Sequence, residues 1–454
     1  MLERNGDKRA APDASDLCLI CADERGSRAG ERVGAARGGV CDVNVRPISG
    51  ASVDARGRRG RQGRALLAGV LLLAVTACGG GGGSDAPGGD KDGDSSAARA
   101  EAPRAVVSIA PEDGAKSVGT SGALKVTAAR GRLTEVQVED GKGRAIAGKI
   151  SGDGATWTPS THLAAAAAYT VRAVAENADG TRTAEKSGFT TLTPKSTFTG
   201  RFTPEDGAKV GVGMPFSVRF DRGITNREDV AAAITVKTDP PVEVAGRWFG
   251  DDRLDLRPEK YWKPGTKVTV DLNLDGVEGR PGVYGEQARK TTFTVGRSQV
   301  SVVDVKTKKM KVTRDGKVIR TIPISAGAPG YDTWSGQMVM TEKLLETRMN
   351  GATVGYAGQY DIPDVPHAIR LTESGTFIHG NYWGGDAFGK TNASHGCVGL
   401  RDVKGRGDPK TPAAWFFRNS IIGDVVVVKN SKERTVAPDN GLNGWNIPWK
   451  QWKS

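Results

Sequence analysis

HGNYWGGDAFGKTNASHGC, residues His379–Cys397, is the stretch on which the reading of this chain turns. Cysteine is a weak nucleophile while protonated, because a reference pKa near 8.5 leaves only a few per cent thiolate at neutral pH. A histidine within reach remedies this by taking the proton, and two are at hand. His395 stands two residues before Cys397, so on an extended segment both side chains share a face. His379 lies further upstream, where a returning loop can set it opposite the thiol. Gly396 lets a substrate approach the backbone closely, leaving the Cys397 amide free to stabilise an oxyanion. A single histidine is more often a surface or hydrogen-bonding residue, but histidine, glycine and cysteine clustered in this order favour nucleophilic catalysis. A zinc site from His379, His395, Cys397 and Asp386 fits poorly, since two ligands would flank one glycine. No metal and no cofactor are expected.

Around this stretch the pattern is that of strands. Val300–Val305, Met310–Arg314 and Lys317–Ile324 alternate, and Asp315-Gly316 is a two-residue hairpin turn. Further strands are expected at Gln337–Thr341, Ala368–Leu371, Thr376–His379 and Asp424–Lys429, with Pro412–Asn419 as the one clear helix. Residues 297–430 therefore read as a β-rich domain, and 431–454 as a Trp-rich tail ending near Trp452. Upstream, PEDGAK occurs twice, at Pro111–Lys116 and Pro204–Lys209. Each copy opens a run of short alternating strands: Leu124–Thr127, Glu135–Val138 and Tyr169–Ala175, then Phe216–Phe220, Ile234–Lys237 and Lys267–Leu272. Such spacing indicates β-sandwiches, over 104–195 and 196–296. The Cys…Trp…Cys signature is missing, so the immunoglobulin likeness is one of architecture, and Trp157 and Trp248 read as core residues. The fold class is mainly β.

Composition agrees. The 62 glycines among 454 residues are about twice the ordinary share of ~7% and speak against an all-helical protein. Collagen, coiled coil and polytopic membrane protein are excluded. The net charge of +12 with 64 Lys and Arg permits nucleic acid, anionic membrane or an anionic polymer as partner. The basic residues are dispersed, which argues against nucleic acid. The densest run, Lys306, Lys308, Lys309, Lys311, Arg314 and Lys317, reads as a solvated face, with attraction to an anionic wall polymer as the alternative.

The apolar run Ala65–Val75 is too short to span a bilayer but fits the core of a signal peptide, with Arg56, Arg58, Arg59, Arg61 and Arg64 before it. Val75-Thr-Ala-Cys78 after it resembles the lipobox of bacterial lipoproteins, in which Cys78 is lipidated and becomes the first mature residue. Residues 1–77 are then a discarded leader. They hold 13 Lys and Arg against 9 Asp and Glu, so the remaining chain carries +8. A start downstream of Met1, for example at Val53, is expected from the Arg- and Gly-rich segment before the signal. Cys18, Cys21 and Cys41 include a C-x-x-C, but a zinc site lacks the further ligands. Residues 78–103 are a Gly-, Ser- and Asp-rich tether with a random-coil reach of roughly 25–30 Å. In an exported chain the lone Cys397 is an oxidation liability, and nucleophilic catalysis is the main reason to retain it.

The central stretch resembles the L,D-transpeptidase catalytic domain, the YkuD family, whose signature is His-Gly or His-Ser, a loop, then Ser-His-Gly-Cys. Here these are His379-Gly380, the loop to Ala393, and Ser394-His395-Gly396-Cys397. Pro323-Ile-Ser-Ala-Gly327 is similar to the family's P-x-S-x-G, Thr347–Asn350 falls where the substrate-covering hairpin belongs, and NGWNIPWKQW is similar to the tail of actinobacterial members. The likeness covers residues 104–454.

The resemblance implies Cys397 as nucleophile, His379 as general base and the Gly380 carbonyl as its orienting acceptor. Ser394, His395 and Gly396 would shape the nucleophile loop, with oxyanion donors at the Gly396 and Cys397 amides. Tyr356 and Trp383 would line the donor groove. One departure is Gly399, where the family often has Asn or Arg; Arg401 stands two positions on. The implied reaction joins peptidoglycan stem peptides in 3→3 cross-links through a cysteine thioester, on the outer face of the cytoplasmic membrane, in a lipid-anchored monomer that carbapenems acylate. The alternatives are an L,D-carboxypeptidase using water as acceptor and a non-enzymatic wall-binding lipoprotein.

Overall fold

The computed structural model describes residues 102–454; the leader, Cys78 and nearly all of the tether lie outside the described residues. Strands dominate, because the chain alternates apolar and polar residues in short runs broken by Gly, Asp and Pro.

The first sandwich sets Val106–Ala110, Lys125–Ala129, Thr156–Pro159 and Gly148–Ile150 in one sheet, and Arg132–Asp140, Ala168–Glu176 and Arg182–Thr190 in the other. In the second, Lys209–Val210, Ala288–Val295, Lys267–Asn273 and Ile234–Asp239 form one sheet; Val244–Phe249, Arg253–Pro258, Phe216–Phe220 and Gly200–Thr203 form the other. Each has its own apolar core, the first around Val126, Trp157 and Val171, the second around Phe216, Val218 and Phe293.

The PEDGAK repeat has a shared physical purpose. In each copy the aspartate carboxylate accepts from an amide of the sandwich's last strand: Gly188 N to Asp113 Oδ1 and Thr292 N to Asp206 Oδ1, both 2.7 Å. The following glycine, left-handed at φ 77° and 73°, donates to the carbonyl of that same residue. The motif thus ties the opening strand to the closing one, and glycine supplies the backbone angle that other residues resist.

The third part is a nine-stranded mixed sheet. Its strands in chain order are β1 (Gln299–Asp304), β2 (Lys309–Arg314), β3 (Lys317–Ser325), β4 (Gly336–Val339), β5 (Glu342–Asn350), β6 (Asp361–Arg370), β7 (Phe377–Asn381), β8 (Val398–Arg401) and β9 (Val425–Lys429). They are arranged β4-β9-β1-β2-β3-β8-β7-β6-β5, with β1–β9 and β7–β8 parallel. Helix Pro412–Asn419 starts with Thr411 Oγ1 accepting from Ala414 N and a proline in its first turn, and buries Ala413, Ala414, Phe416 and Phe417. It is not the only helix: short ones also form at Arg227–Ala232 and Trp449–Trp452. Lys306, Lys309, Lys311 and Lys317 are exposed, whereas Arg314 turns inward to Gln299 Oε1 at 2.9 Å.

The Trp-rich tail packs on the second sandwich. Trp445 Nε1 donates to Gly213 O at 2.7 Å and Trp452 Nε1 to Ala245 O at 2.9 Å. The Arg257 guanidinium lies over the rings of Trp445, Trp449 and Trp452 at 4.7, 5.4 and 4.2 Å, a stacking that suits a planar, weakly hydrated cation. Val339, Leu442 and Trp445 belong to the core of this sandwich, so sandwich, tail and nine-stranded sheet share buried surface.

Candidate active site

The register of β7 against β8 creates the site. Ile378 pairs with Val398 and His379 with Gly399, and residues paired in parallel strands point to one face. His379, Gly399 and, two residues back, Cys397 therefore share a face, and Gly399 puts no side chain between them. The other face, carrying Ile378, Val398 and Leu400, is buried.

Above this face is a cavity of about 480 Å³, lined by His379, Cys397, Ser394, His395 and Trp383 and also by Thr347–Asn350 of β5 and Tyr360. The Cys397 thiol rests between backbone groups of the preceding turn: Phe377 N donates to Sγ at 3.4 Å and Sγ donates to Gly375 O at 3.6 Å. Burial pushes the thiol up to about 11, against the Phe377 amide and the Arg370 charge, which favour the thiolate. Burial also pushes His379 down, opposed by its bond to Gly380 and by the charge of Asp402. Both shifts favour the neutral forms, thiol and imidazole.

His379 Nδ1 lies 2.8 Å from Gly380 O. A carbonyl only accepts, so Nδ1 carries the proton and Nε2 is the basic nitrogen. Trp383, 42% exposed, stacks over the imidazole at 5.8 Å with 15° between planes. Ser394 Oγ donates to Cys397 O at 2.6 Å and accepts from Gly396 N at 3.2 Å, which folds the nucleophile loop. Gly396 holds φ 112°, a backbone angle that a side chain strains. His395 is enclosed by Tyr331, Tyr356 and Tyr360, with ring centroids 4.6, 5.8 and 5.0 Å away.

Trp383 lines the cavity, but Tyr356, expected beside it, and Arg401 do not. Tyr356 is behind His395, and Tyr360 takes the place on the cavity wall. Arg401 does not line the cavity; its guanidinium donates to Gly385 O at 3.1 Å and lies over Phe388, bracing the loop between His379 and Cys397. Asp386 is exposed beside Lys390 and Arg401. Among the described residues no cluster of three or more His, Cys, Asp or Glu side chains has the arrangement to hold a metal.

Residues 298–428 match the profile of the YkuD family, described as the L,D-transpeptidase catalytic domain, and residues 115–278 that of a bacterial Ig domain. L,D-transpeptidase 2 of Mycobacterium tuberculosis is 34% identical over 346 residues, covering 75% of this chain and 82% of that protein. The chain belongs to the L,D-transpeptidase family. L,D-transpeptidase 5 of the same species is 31% identical over 360 residues, covering 78% of this chain and 77% of that protein. A solved L,D-transpeptidase in complex with imipenem is 28% identical, covers 52% of this chain and 100% of its own, and has a TM-score of 0.43.

In this member of the family, the departure at Gly399 has a spatial counterpart. A Cβ at Gly399 would meet Asn381 Nδ2 at 3.2 Å, so Asn381, on the neighbouring strand, fills the space that a side chain at 399 would take. Asn381 lines the cavity and its Oδ1 accepts from Trp383 N at 3.1 Å. The sequence alone gave no signal for Asn381, Tyr360 or Arg370, whose approach depends on strand order.

Proposed function

We propose that this chain is a peptidoglycan L,D-transpeptidase working through a thioester on Cys397. The supporting observation is that Cys397 and His379 lie on one sheet face and line one cavity, with Gly380 holding the imidazole so that Nε2 is its basic nitrogen. With both groups neutral at rest, the proton moves from Sγ to Nε2 as sulfur attacks, rather than from a preformed thiolate. The attacked carbonyl is that of the third stem residue, diaminopimelate, of a tetrapeptide donor. The Gly396 amide is occupied by Ser394 Oγ, so the Cys397 amide is the oxyanion donor. Collapse of the tetrahedral adduct breaks the bond to the terminal D-alanine, whose amine leaves with the proton from His379. The side-chain amine of a second stem then attacks the thioester, gives up its proton to His379, and releases the thiol with a 3→3 cross-link formed. Water in place of the amine gives carboxypeptidase activity.

No helix among the described residues is long and apolar enough to cross a membrane; lipid on Cys78 and the tether would hold the enzyme against the wall from outside the cytoplasmic membrane. Intact-protein mass after incubation with a carbapenem tests the reading. One adduct is expected on the wild type and none on Cys397→Ala; no adduct on the wild type, or an equal one on the variant, rejects it. Muropeptide analysis with a defined tetrapeptide then separates cross-linked dimer from the tripeptide of hydrolysis.

A further inference from the structure

On the sheet face opposite the cavity, directly behind the His379–Gly380 unit, lies a carboxylate that the reaction above does not use. Asp402 follows β8, and its side chain is fully shielded from solvent. His367 Nδ1 lies 2.7 Å from its Oδ2, while Thr411 Oγ1 and Val403 N each donate to Oδ1 at 2.9 Å. These contacts fix the carboxyl group in place. It also presses on Gly380: a Cβ there would stand 2.1 Å from Asp402 Oδ2 and 2.8 Å from Pro366 Cγ. Glycine at 380 thus lets the carboxylate reach the peptide whose carbonyl orients the imidazole. His367 adopts φ 51°, uncommon for a residue with a side chain, with its ring against Phe417 at 5.3 Å. That strain is retained at the position from which its ring reaches Asp402.

We propose that Asp402, anchored by His367, is a positioning residue for the transfer reaction, its fixed charge favouring the imidazolium that His379 becomes and its packing fixing the Gly380 carbonyl. This rests on the transpeptidase reading. No new bond is required: the proton passes from Cys397 Sγ to His379 Nε2, and Asp402 makes and breaks none. Burial alone makes His379 a poor base, and Asp402 acts in the opposite direction. The ionisable groups sharing the cavity with the imidazole are Cys397, His395, Arg370, Glu373, Arg348 and Tyr360; Asp402 reaches it from behind, where solvent does not screen it.

The test is the pH dependence of carbapenem acylation, read by intact mass on the full chain. Loss of the charge in Asp402→Asn lowers the pKa of His379. The acid limb, where His379 protonates and ceases to act as base, should then move down by about half a pH unit or more, with the plateau rate falling on the order of ten-fold. Asp402→Ser serves the same purpose should the asparagine variant not fold. His367→Ala removes the N–H directed at Asp402 and should lower the plateau, whereas His367→Asn, which keeps one in a residue that tolerates left-handed backbone, should recover most of that loss. A merely structural role would lower thermal stability while leaving the limb in place. An acid limb unmoved in the Asp402 variants overturns the inference. Absence of any adduct on the wild type overturns the transpeptidase reading and this inference with it.

Discussion

Burial pushes Cys397 and His379 toward their neutral forms, the thiol up and the imidazole down. The thiol should accordingly be sluggish toward simple alkylating agents. The rate of iodoacetamide modification should still climb above pH 10, with a midpoint near 11, whereas an ordinary thiol levels off near 8.5. A midpoint below 9 would contradict the neutral resting pair. The same residue scale explains Gly380. Gly380→Ala drives a methyl group into Asp402 Oδ2, so the carboxylate or the His379 carbonyl anchor must move. A shift of that kind should cost on the order of 100-fold in acylation rate, measurable with a carbapenem, while leaving Cys397 in place. The cysteine and histidine that line one cavity were legible from HGNYWGGDAFGKTNASHGC. Asp402 and Asn381 were not, because nothing local marks an aspartate or an asparagine that acts on the neighbouring strand.

At the scale of elements, local pattern located most strands, since alternation and turn residues are local properties. Phe216–Phe220 and Pro412–Asn419 match expectation residue for residue. The extent of β6 was longer than the Ala368–Leu371 expected, because Pro363 and Pro366 disguise its first half; its pairing with β5 satisfies the backbone around them. Strand β8 was missed outright, being only Val398–Arg401 and adjacent to the glycine-rich loop. The tail shows how an element of little intrinsic stability is held by packing. Helix Trp449–Trp452 is a single turn, too short to persist alone, yet Trp452 is fully buried. Trp452→Ala should therefore destabilise the protein by about 3–5 kcal/mol, read by chemical denaturation followed through tryptophan fluorescence. A loss under 1 kcal/mol would mean the tail is not docked as described.

For the whole molecule, the distribution of cores predicts which truncations survive. The core of the first sandwich is built from its own residues, and its polar contacts with the second include Thr120 Oγ1 to Gly276 O and His162 Nε2 to Asp275 O. A chain beginning at residue 196 should keep a cooperative melting transition and its carbapenem adduct. One beginning at 297 exposes Val339, Leu442 and Trp445, which are buried in the second sandwich's core. It should melt lower by ten degrees or more (estimated from roughly 4–8 °C per kcal/mol for a small domain) or aggregate, with differential scanning calorimetry as the check. The second sandwich also grips the turn beneath the thiol, since Arg219 Nη2 bonds Glu373 Oε1 at 3.0 Å two residues before Gly375, so its loss should slow acylation as well.

By itself the sequence determined the β character, the repeated sandwich unit and the residue types of the chemistry, because alternation, turn glycines and a Ser-His-Gly-Cys motif are all written in neighbouring residues. Tertiary structure alone decided which histidine shares a sheet face with Cys397, what stands beside Gly399, and that a buried aspartate lies behind Gly380. Those are consequences of β7 running parallel to β8 in a particular register, and a register is fixed by burying one face of the whole sheet at once, which no single stretch of chain encodes.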